Sequence, residues 1–521
     1  MNRSNPTETG RSKAGADFLQ LSIEEAPVGG LSDWLAERLR GAISDGRLPV
    51  GSRLPATRVL AAELRVSRGV VTEAYQRLTE DGHVAGRGRA GTVIVAAPIG
   101  TTPAALPSRT GASRTPSPRG TAQRDRRRSG PPKKELPEPD LEVFDAMRAA
   151  PARIDLTPGV PDLAAFPRAA WLRAERAVLS NLSASAFGYG DPAGTPRLRL
   201  AVANWLARNR GIKADPDDII IVAGVAQALG LIAQVLGRAG ITEIAVEDPG
   251  SLGSRQHLQL WGMRTPPIPV DSDGLRVDRL TESAARVVLV TPAHHFPTGV
   301  VLEGERRREL IRWAAAGGLI VEDDYDAEHR YDRPPVPALR AMLTDQVVYA
   351  GSVSKLLAPS LRIGWMLAPP QYKEALAGAK RLADLGNAAL PQLVLAQLME
   401  SGELERQLRF VRKRHRQRRD AMIDAISNYL PMATVHGAAA GLHLTITFDD
   451  LSRELFNGLG SDLSDVHLAA AALRAGVKTQ PLSWHSQEPQ PPGLVLGYAA
   501  RTPTEITEAV AVLGELVNQR V

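Results

Sequence analysis

Lys355 ends the run Ser352-Val353-Ser354-Lys355, and Arg362 follows it closely. About thirty residues upstream, the apolar run Leu319-Ile320-Val321 passes directly into Glu322-Asp323-Asp324-Tyr325. A third stretch, Ala223-Gly224-Val225-Ala226-Gln227, follows the apolar run ending at Val222. Together these supply an amine at the end of one strand, a carboxylate at the end of another, and a basic, hydroxyl-bearing segment opposite a helix start. Pyridoxal 5′-phosphate (PLP) requires that set: an amine for a Schiff base, an anion beside the pyridine nitrogen to keep it protonated, and donors around the phosphate. Lys355 is the expected Schiff-base lysine, holding the cofactor as an internal aldimine. Asp323 is the expected partner of the pyridine nitrogen, and Tyr325 that of the ring's 3′ oxygen. Arg362 can pair with phosphate bidentately, with Ser352 and Ser354 adding hydroxyls. Gly224, Val225 and Ala226 would present the free N–H groups of a helix N-terminus to the same phosphate. A lone Ser-x-Ser-Lys is most often a surface lysine; its order relative to the acidic strand end is what gives it weight.

The other end of the chain carries a different chemistry. Pro55 to Leu64 reads as a helix start followed by good helix formers, Arg65-Val66 as a turn, and Ser67 as the cap of a second helix running through Tyr75. Two helices joined by a tight turn present the second helix to the major groove, with Arg68 and Thr72 facing DNA. Gly86-Arg87-Gly88-Arg89-Ala90-Gly91 precedes the β-branched Thr92-Val93-Ile94-Val95, as suits a hairpin wing lying along the DNA backbone.

These sites need elements to hold them. A chain of 521 residues, 43% hydrophobic, is too long for one core. A DNA-binding domain is expected over 20–96. From 97 to 150 the sequence turns to Pro, Ser, Gly, Thr and clustered Arg, a composition that cannot bury enough surface to offset ordering, so a flexible linker is expected. Over 151–521, short apolar runs such as Ile219–Val222, Glu243–Val246, Arg286–Val290, Leu319–Val321 and Val347–Ala350 read as buried parallel strands, with Ala226–Leu236 and Glu303–Ala316 as crossover helices. The fold class is α/β: a mostly parallel sheet wrapped by helices, with a smaller α+β subdomain from about 400 to 521 built on a long helix, Glu403–Leu430. There the alternation of Leu442–Phe448 predicts a half-covered strand. With no cysteine, disulfides, thiolate metal sites and cysteine nucleophiles are excluded, and no metal centre is expected. The sequence shows neither a signal-peptide core nor a membrane-length apolar run, so a cytoplasmic location without membrane contact is expected. The formal charge of +6 is compatible with a polyanionic partner.

The run from Leu31 to Val95 resembles the winged helix-turn-helix domain of the GntR regulators, including Gly46 to Pro55 before the second helix and Val66-Ser67-Arg68 before the third. The resemblance implies that Arg58, Ser67, Arg68, Arg87 and Arg89 contact double-stranded DNA; Gly69 departs from it. Beyond about Asp155 the chain resembles the fold type I aminotransferases, with Tyr189 to Gly194, Phe296-Pro297-Thr298-Gly299, Asp323 to Tyr325, and Ser352 to Arg362 in the family's order. The two halves together are similar to the MocR subfamily of PLP-dependent regulators, which implies a head-to-tail homodimer. Several positions depart from a transaminase. Phe296 stands where the family has Asn, which leaves the 3′-oxygen donor to Tyr325 or a neighbour such as His295. Ser251 and Gly253 stand where many relatives carry Tyr and Arg. No arginine lies between Arg474 and Arg501, so Arg501 is the only C-terminal stand-in for a carboxylate anchor. Two readings follow. One is a transcription factor, with no catalytic residues of its own, that senses PLP or a PLP–amine adduct. By similarity to regulators of pyridoxine and PLP synthesis, its effector would be PLP; an amino acid or amine is the other candidate. The second reading is an active aminotransferase with a fused DNA-binding domain. The missing clamp favours the regulator.

Overall fold

Leu35, Leu39 and Ile43 recur at helical spacing and bury one face of the first helix, Leu31–Ser44. In the computed structural model, which describes residues 26–27, 30–44, 48, 51–81, 83–86, 91–95, 141–331, 336–448 and 465–518, that face packs on helices Thr57–Glu63 and Arg68–Glu80 through Leu60, Leu64, Val71 and Leu78. The turn between the last two uses Arg65 in the left-handed region, φ 53°. The Tyr75 hydroxyl donates to the Pro55 carbonyl at 2.8 Å, locking the third helix to the segment before the second. An antiparallel hairpin, Val84–Gly86 against Thr92–Ile94, completes the unit. Arg87 and Arg89, expected on this wing, lie outside the described residues, as does the linker up to residue 140. The end of the stretch read as linker is helical: Leu141–Ala149 forms a helix. The buried Lys478 ammonium donates to the carbonyls of Arg148 and Ala150, 3.0 Å each, so this part is docked by hydrogen bonds that composition does not reveal.

The large domain is an eight-stranded sheet in the order Ile219–Val222, Gly364–Leu367, Val347–Ser352, Leu319–Asp324, Val287–Val290, Ala245–Asp248, Pro267–Asp271, Gly274–Leu275. Pairings from Val347–Ser352 through Pro267–Asp271 are parallel. Ile219–Val222, read as a paired parallel strand, instead bonds antiparallel to Gly364–Leu367. That intervening strand runs against both neighbours, so Ile219–Val222 keeps the common direction and its carboxyl end still opens on the shared edge. Helices Val225–Arg238 and Gly304–Ala315 cover the sheet.

The smaller C-terminal part sets an antiparallel sheet, Ala433–His436, His443–Phe448, Gly493–Gly497, Gln480–Pro481, against the long helix Glu403–Tyr429 and the helix Pro503–Asn518. The strand His443–Phe448 is buried along its whole length rather than half-covered. Leu444, Ile446 and Phe448 enter the core. On its other face His443 and Thr445 both hydrogen-bond to the Pro297 carbonyl of the large domain, at 3.0 and 2.6 Å. Alternation gave the two faces correctly, but not that the polar face would meet another domain.

Candidate cofactor site and nucleic-acid interface

Register brings the separated motifs together. Strands Leu319–Asp324 and Val347–Ser352 pair with Ala350 opposite Asp323, so Lys355, just past the second strand, and Asp323 open on one sheet edge, where open α/β sheets bind ligands. Strand alternation sorts the three acidic residues. Glu322 accepts from the backbone N–H groups of Leu339 and Arg340 at 2.8 and 2.9 Å. Asp324 is held by Arg210 and by the Tyr349 hydroxyl at 2.6 Å. Asp323 faces the other way, and its Oδ1 is buried with no hydrogen-bond partner. Burial, with Asp324 adding to it, pushes its carboxyl up to about 7, while Lys355 pulls the other way. A buried carboxylate without a partner is costly and calls for a cationic or N–H group; a pyridinium supplies one.

The Lys355 amine donates to the Gly159 carbonyl. Burial holds it below its ordinary range against the raising effect of Asp326 and Asp323. Gly159 has φ +78°, and a Cβ there would sit 3.0 Å from the lysine nitrogen, so glycine leaves the amine its room. Arg362, in the left-handed region, donates to the Ala223 carbonyl. Its guanidinium lies against Gly224, φ +83°, where a Cβ would come within 3.2 Å of Nη1. Gly224 is the N-cap of helix Val225–Arg238, whose first N–H groups, those of Val225 and Ala226, have no intrahelical acceptor. Ser352 is buried and accepts from the Ser354 N–H at 3.3 Å, which leaves its own hydroxyl proton available. The residues present therefore fit PLP: an unpartnered anion, a confined amine, and an arginine at a helix N-terminus.

Around Tyr325 the arrangement departs from expectation. His295 turns away: its Nδ1 is 2.6 Å from Thr298 Oγ1 and its Nε2 is 3.6 Å from Glu247, and burial drops it to about 3. The imidazole that meets the Tyr325 hydroxyl is the neighbouring His294, whose Nδ1 is 3.0 Å away. His294, Asp326 and His443 bring one donor atom each within 4.8 Å of one another, a buried trio the sequence reading did not contain. Beside Asp323 opens a cleft with about 340 Å³ of empty space, lined by Glu247, Ser251, Ser254, Arg255, Thr291 and Phe296 among others. Glu247 is raised to about 8 by burial, although Thr291 donates to it through both N–H and hydroxyl, at 3.0 and 2.7 Å. Ser251 caps helix Leu252–Leu260, and open space surrounds Gly253. Arg255 is buried and donates to the carbonyls of Trp484 and His485 at 3.2 and 3.5 Å. Arg501 donates to the Asp155 carbonyl at 3.1 Å and stands 3.6 Å from Glu505. Sequence reasoning missed Glu247, Arg255, His294 and Asp326. The available signal was position, since Glu247 and the segment after Val290 end strands of the same sheet as Asp323 does.

In the N-terminal unit Ser67 accepts from the Val70 N–H at 3.4 Å, which confirms the cap and leaves its hydroxyl proton available. Arg58, Arg68 and Thr72 are exposed; Arg68 Nε reaches Thr57 Oγ1 at 3.4 Å. Gln76, one turn beyond Thr72, is also exposed on that face and was not foreseen. Residues 31–94 match the gntR family of bacterial regulatory proteins, and residues 152–513 match aminotransferase class I and II. Among curated proteins the chain is 32% identical to the "Probable rhizopine catabolism regulatory protein MocR" of Rhizobium meliloti, over 91% of each chain. The chain belongs to the MocR-type GntR regulators. It is also 30% identical to the HTH-type pyridoxine biosynthesis transcriptional regulator PdxR of Corynebacterium glutamicum, over 80% of this chain and 83% of that one. Among solved structures, it is similar to a Pyrococcus horikoshii kynurenine aminotransferase in complex with PMP, with a TM-score of 0.65 and 26% identity over 73% of this chain and 94% of the other. A multiple substrate aminotransferase from Thermococcus profundus gives 0.66 and 26% over 74% and 96%. As a MocR-type regulator the chain binds DNA through its helix-turn-helix, and its aminotransferase-like domain takes PLP. Among the described residues no helix is long and apolar enough to cross a membrane.

Proposed function

We propose that this MocR-type regulator senses PLP, or a PLP adduct with an amine, at Lys355, and that it does so without turnover. One observation carries the reading: groups suited to each part of the cofactor lie together, whereas Arg255, which lines the cleft beside Asp323, and Arg501 are both engaged by the protein itself. Arg255 is bonded to the carbonyls of Trp484 and His485, and Arg501 to Asp155 and Glu505; Ser251 and Gly253 offer no charge. When bound, PLP supplies an electrophilic aldehyde and an electron sink. Lys355 offers the amine, Asp323 holds the ring nitrogen's proton, and Arg362, Ser352, Ser354 and the Gly224–Ala226 N–H groups clasp the phosphate. A regulator needs only different affinities in two states, not catalysis.

Two chains pair head to tail in this reading, which places two DNA heads on a repeated or palindromic operator. The exposed Phe187 and Tyr189, 66% and 96% accessible, are apolar surface whose covering supports such an interface. The relatedness to a pyridoxine-biosynthesis regulator supports genes of PLP synthesis as the target, and a DNA-binding role supports a cytoplasmic location. The test is operator binding with and without PLP, alongside steady-state transamination over a panel of amino donors. PLP-dependent binding with negligible turnover is expected. Appreciable turnover overturns the reading, and a response to an amino acid or amine but not to PLP reassigns the effector.

A further inference from the structure

The Tyr325 hydroxyl sits in a cluster whose geometry dictates where its proton goes. His294 Nδ1 lies 3.0 Å from that hydroxyl and 3.0 and 3.2 Å from the two carboxylate oxygens of Asp326. The imidazole's other nitrogen, Nε2, is buried and has no hydrogen-bond partner. A proton on Nε2 would be stranded and would leave a lone pair facing a carboxylate. A proton on Nδ1 meets acceptors on both sides. Packing fixes the ring: a Cβ at Gly441 would fall inside it, and one at Gly299 would lie 3.2 Å from Nε2. With Nδ1 as donor, the imidazole offers Tyr325 no lone pair, so the tyrosine proton goes either to Asp326, with which the hydroxyl also interacts, or to a ligand.

We propose that Asp326 and His294 are positioning residues: Asp326 fixes His294 as the Nδ1–H tautomer, which denies the Tyr325 hydroxyl an imidazole acceptor and frees its proton for the cofactor's 3′ oxygen. This rests on the reading that PLP is bound at Lys355 with Tyr325 beside its ring oxygen. The charged and titratable groups facing Tyr325 are Asp323, Asp326 and Glu247, which with burial raise its hydroxyl well above the ordinary range. His443 packs on His294 with ring centroids 5.1 Å apart. Tyr325 is thus kept protonated and serves as a donor rather than a base.

The readout is the pH midpoint of the visible band of the lysine-bound cofactor, because a donor to the 3′ oxygen lowers the pH at which the linked nitrogen loses its proton. Tyr325→Phe removes the donor and should raise the midpoint by about one pH unit, the scale of one charge-assisted hydrogen bond. Asp326 also raises the Lys355 nitrogen through its charge, so Asp326→Asn in the Tyr325→Phe background should lower the midpoint by that charge effect alone. With Tyr325 present the hydroxyl turns to Nδ1, and the midpoint should lie about one pH unit above what that fall predicts. If Asp326 instead drew the tyrosine proton to itself, its removal would free the donor, and the midpoint would fall further with Tyr325 present than in the Tyr325→Phe background. A normal band whose midpoint falls as far, or further, on Asp326→Asn with Tyr325 present as it does in the Tyr325→Phe background overturns the relay alone. A wild-type protein with no band that Lys355→Ala removes overturns both the relay and the cofactor assignment beneath it.

Discussion

Replacing Asp323 with Asn should stabilise the cofactor-free protein and weaken its hold on PLP, two effects of opposite sign from one isosteric change. Without cofactor, Asp323 Oδ1 is buried and unpartnered, and its carboxyl titrates at about 7. Its folded value lies above the unfolded one, so the folded state binds the proton more tightly. Stability is therefore lost as pH rises through roughly 4 to 7 and does not return above that range. A displacement of about three pH units corresponds to a ceiling on the order of 4 kcal/mol. The buried amide of Asn carries an unmet hydrogen-bond cost of about 1–3 kcal/mol, so the net gain at pH 7.5 should be about 1–3 kcal/mol. In the loaded protein the pyridinium is the partner, and the same substitution removes a charge-assisted hydrogen bond, weakening PLP about tenfold or more. Thermal melts of stripped wild type and variant from pH 5 to 8, with PLP titrations of both, measure the two effects. The gap in Tm should open with pH and close toward pH 5. A stripped variant less stable than wild type at pH 7.5, with unchanged PLP affinity, would show that Asp323 is satisfied within the protein and is not the ring partner.

Other expectations follow from single contacts. Gly224→Ala forces a Cβ into the left-handed region 3.2 Å from the Arg362 guanidinium, so PLP affinity should fall at least severalfold by absorbance titration; an unchanged affinity would remove that loop from the phosphate site. Arg68→Ala should weaken operator binding by ~1–3 kcal/mol with PLP loading intact if Arg68 reads a base, and equal loss on unrelated DNA in a gel-shift assay would reassign it to a phosphate contact. Ser67→Ala removes the cap on the third helix and should cost about 1 kcal/mol in denaturation of the protein, with DNA affinity falling further through loss of the hydroxyl's own contact. Retention of full stability would mean that the 3.4 Å contact with Val70 carries no weight.

The chemistry-bearing residues were largely legible in the sequence because they sit in short motifs at the ends of apolar strands, where local pattern places them. Lys355, Asp323, Arg362 and Gly224 needed only their order, and Ser67 only its position before a helix. What the sequence could not decide came from packing between distant segments. His294 rather than His295 meets Tyr325, because only the folded turn around Pro297, gripped by His443 and Thr445 from the smaller C-terminal part, sets which imidazole faces inward. Arg255 is spent on two carbonyls more than two hundred residues away, a fact no local window contains. Asp323 differs from Glu322 and Asp324 only in the side of the strand it occupies and in what each side meets. Residue type and spacing thus determined the chemistry available to this protein; the tertiary structure decided which groups the protein itself consumes and which remain for a ligand, because hydrogen-bond satisfaction in a buried site is settled by neighbours in space.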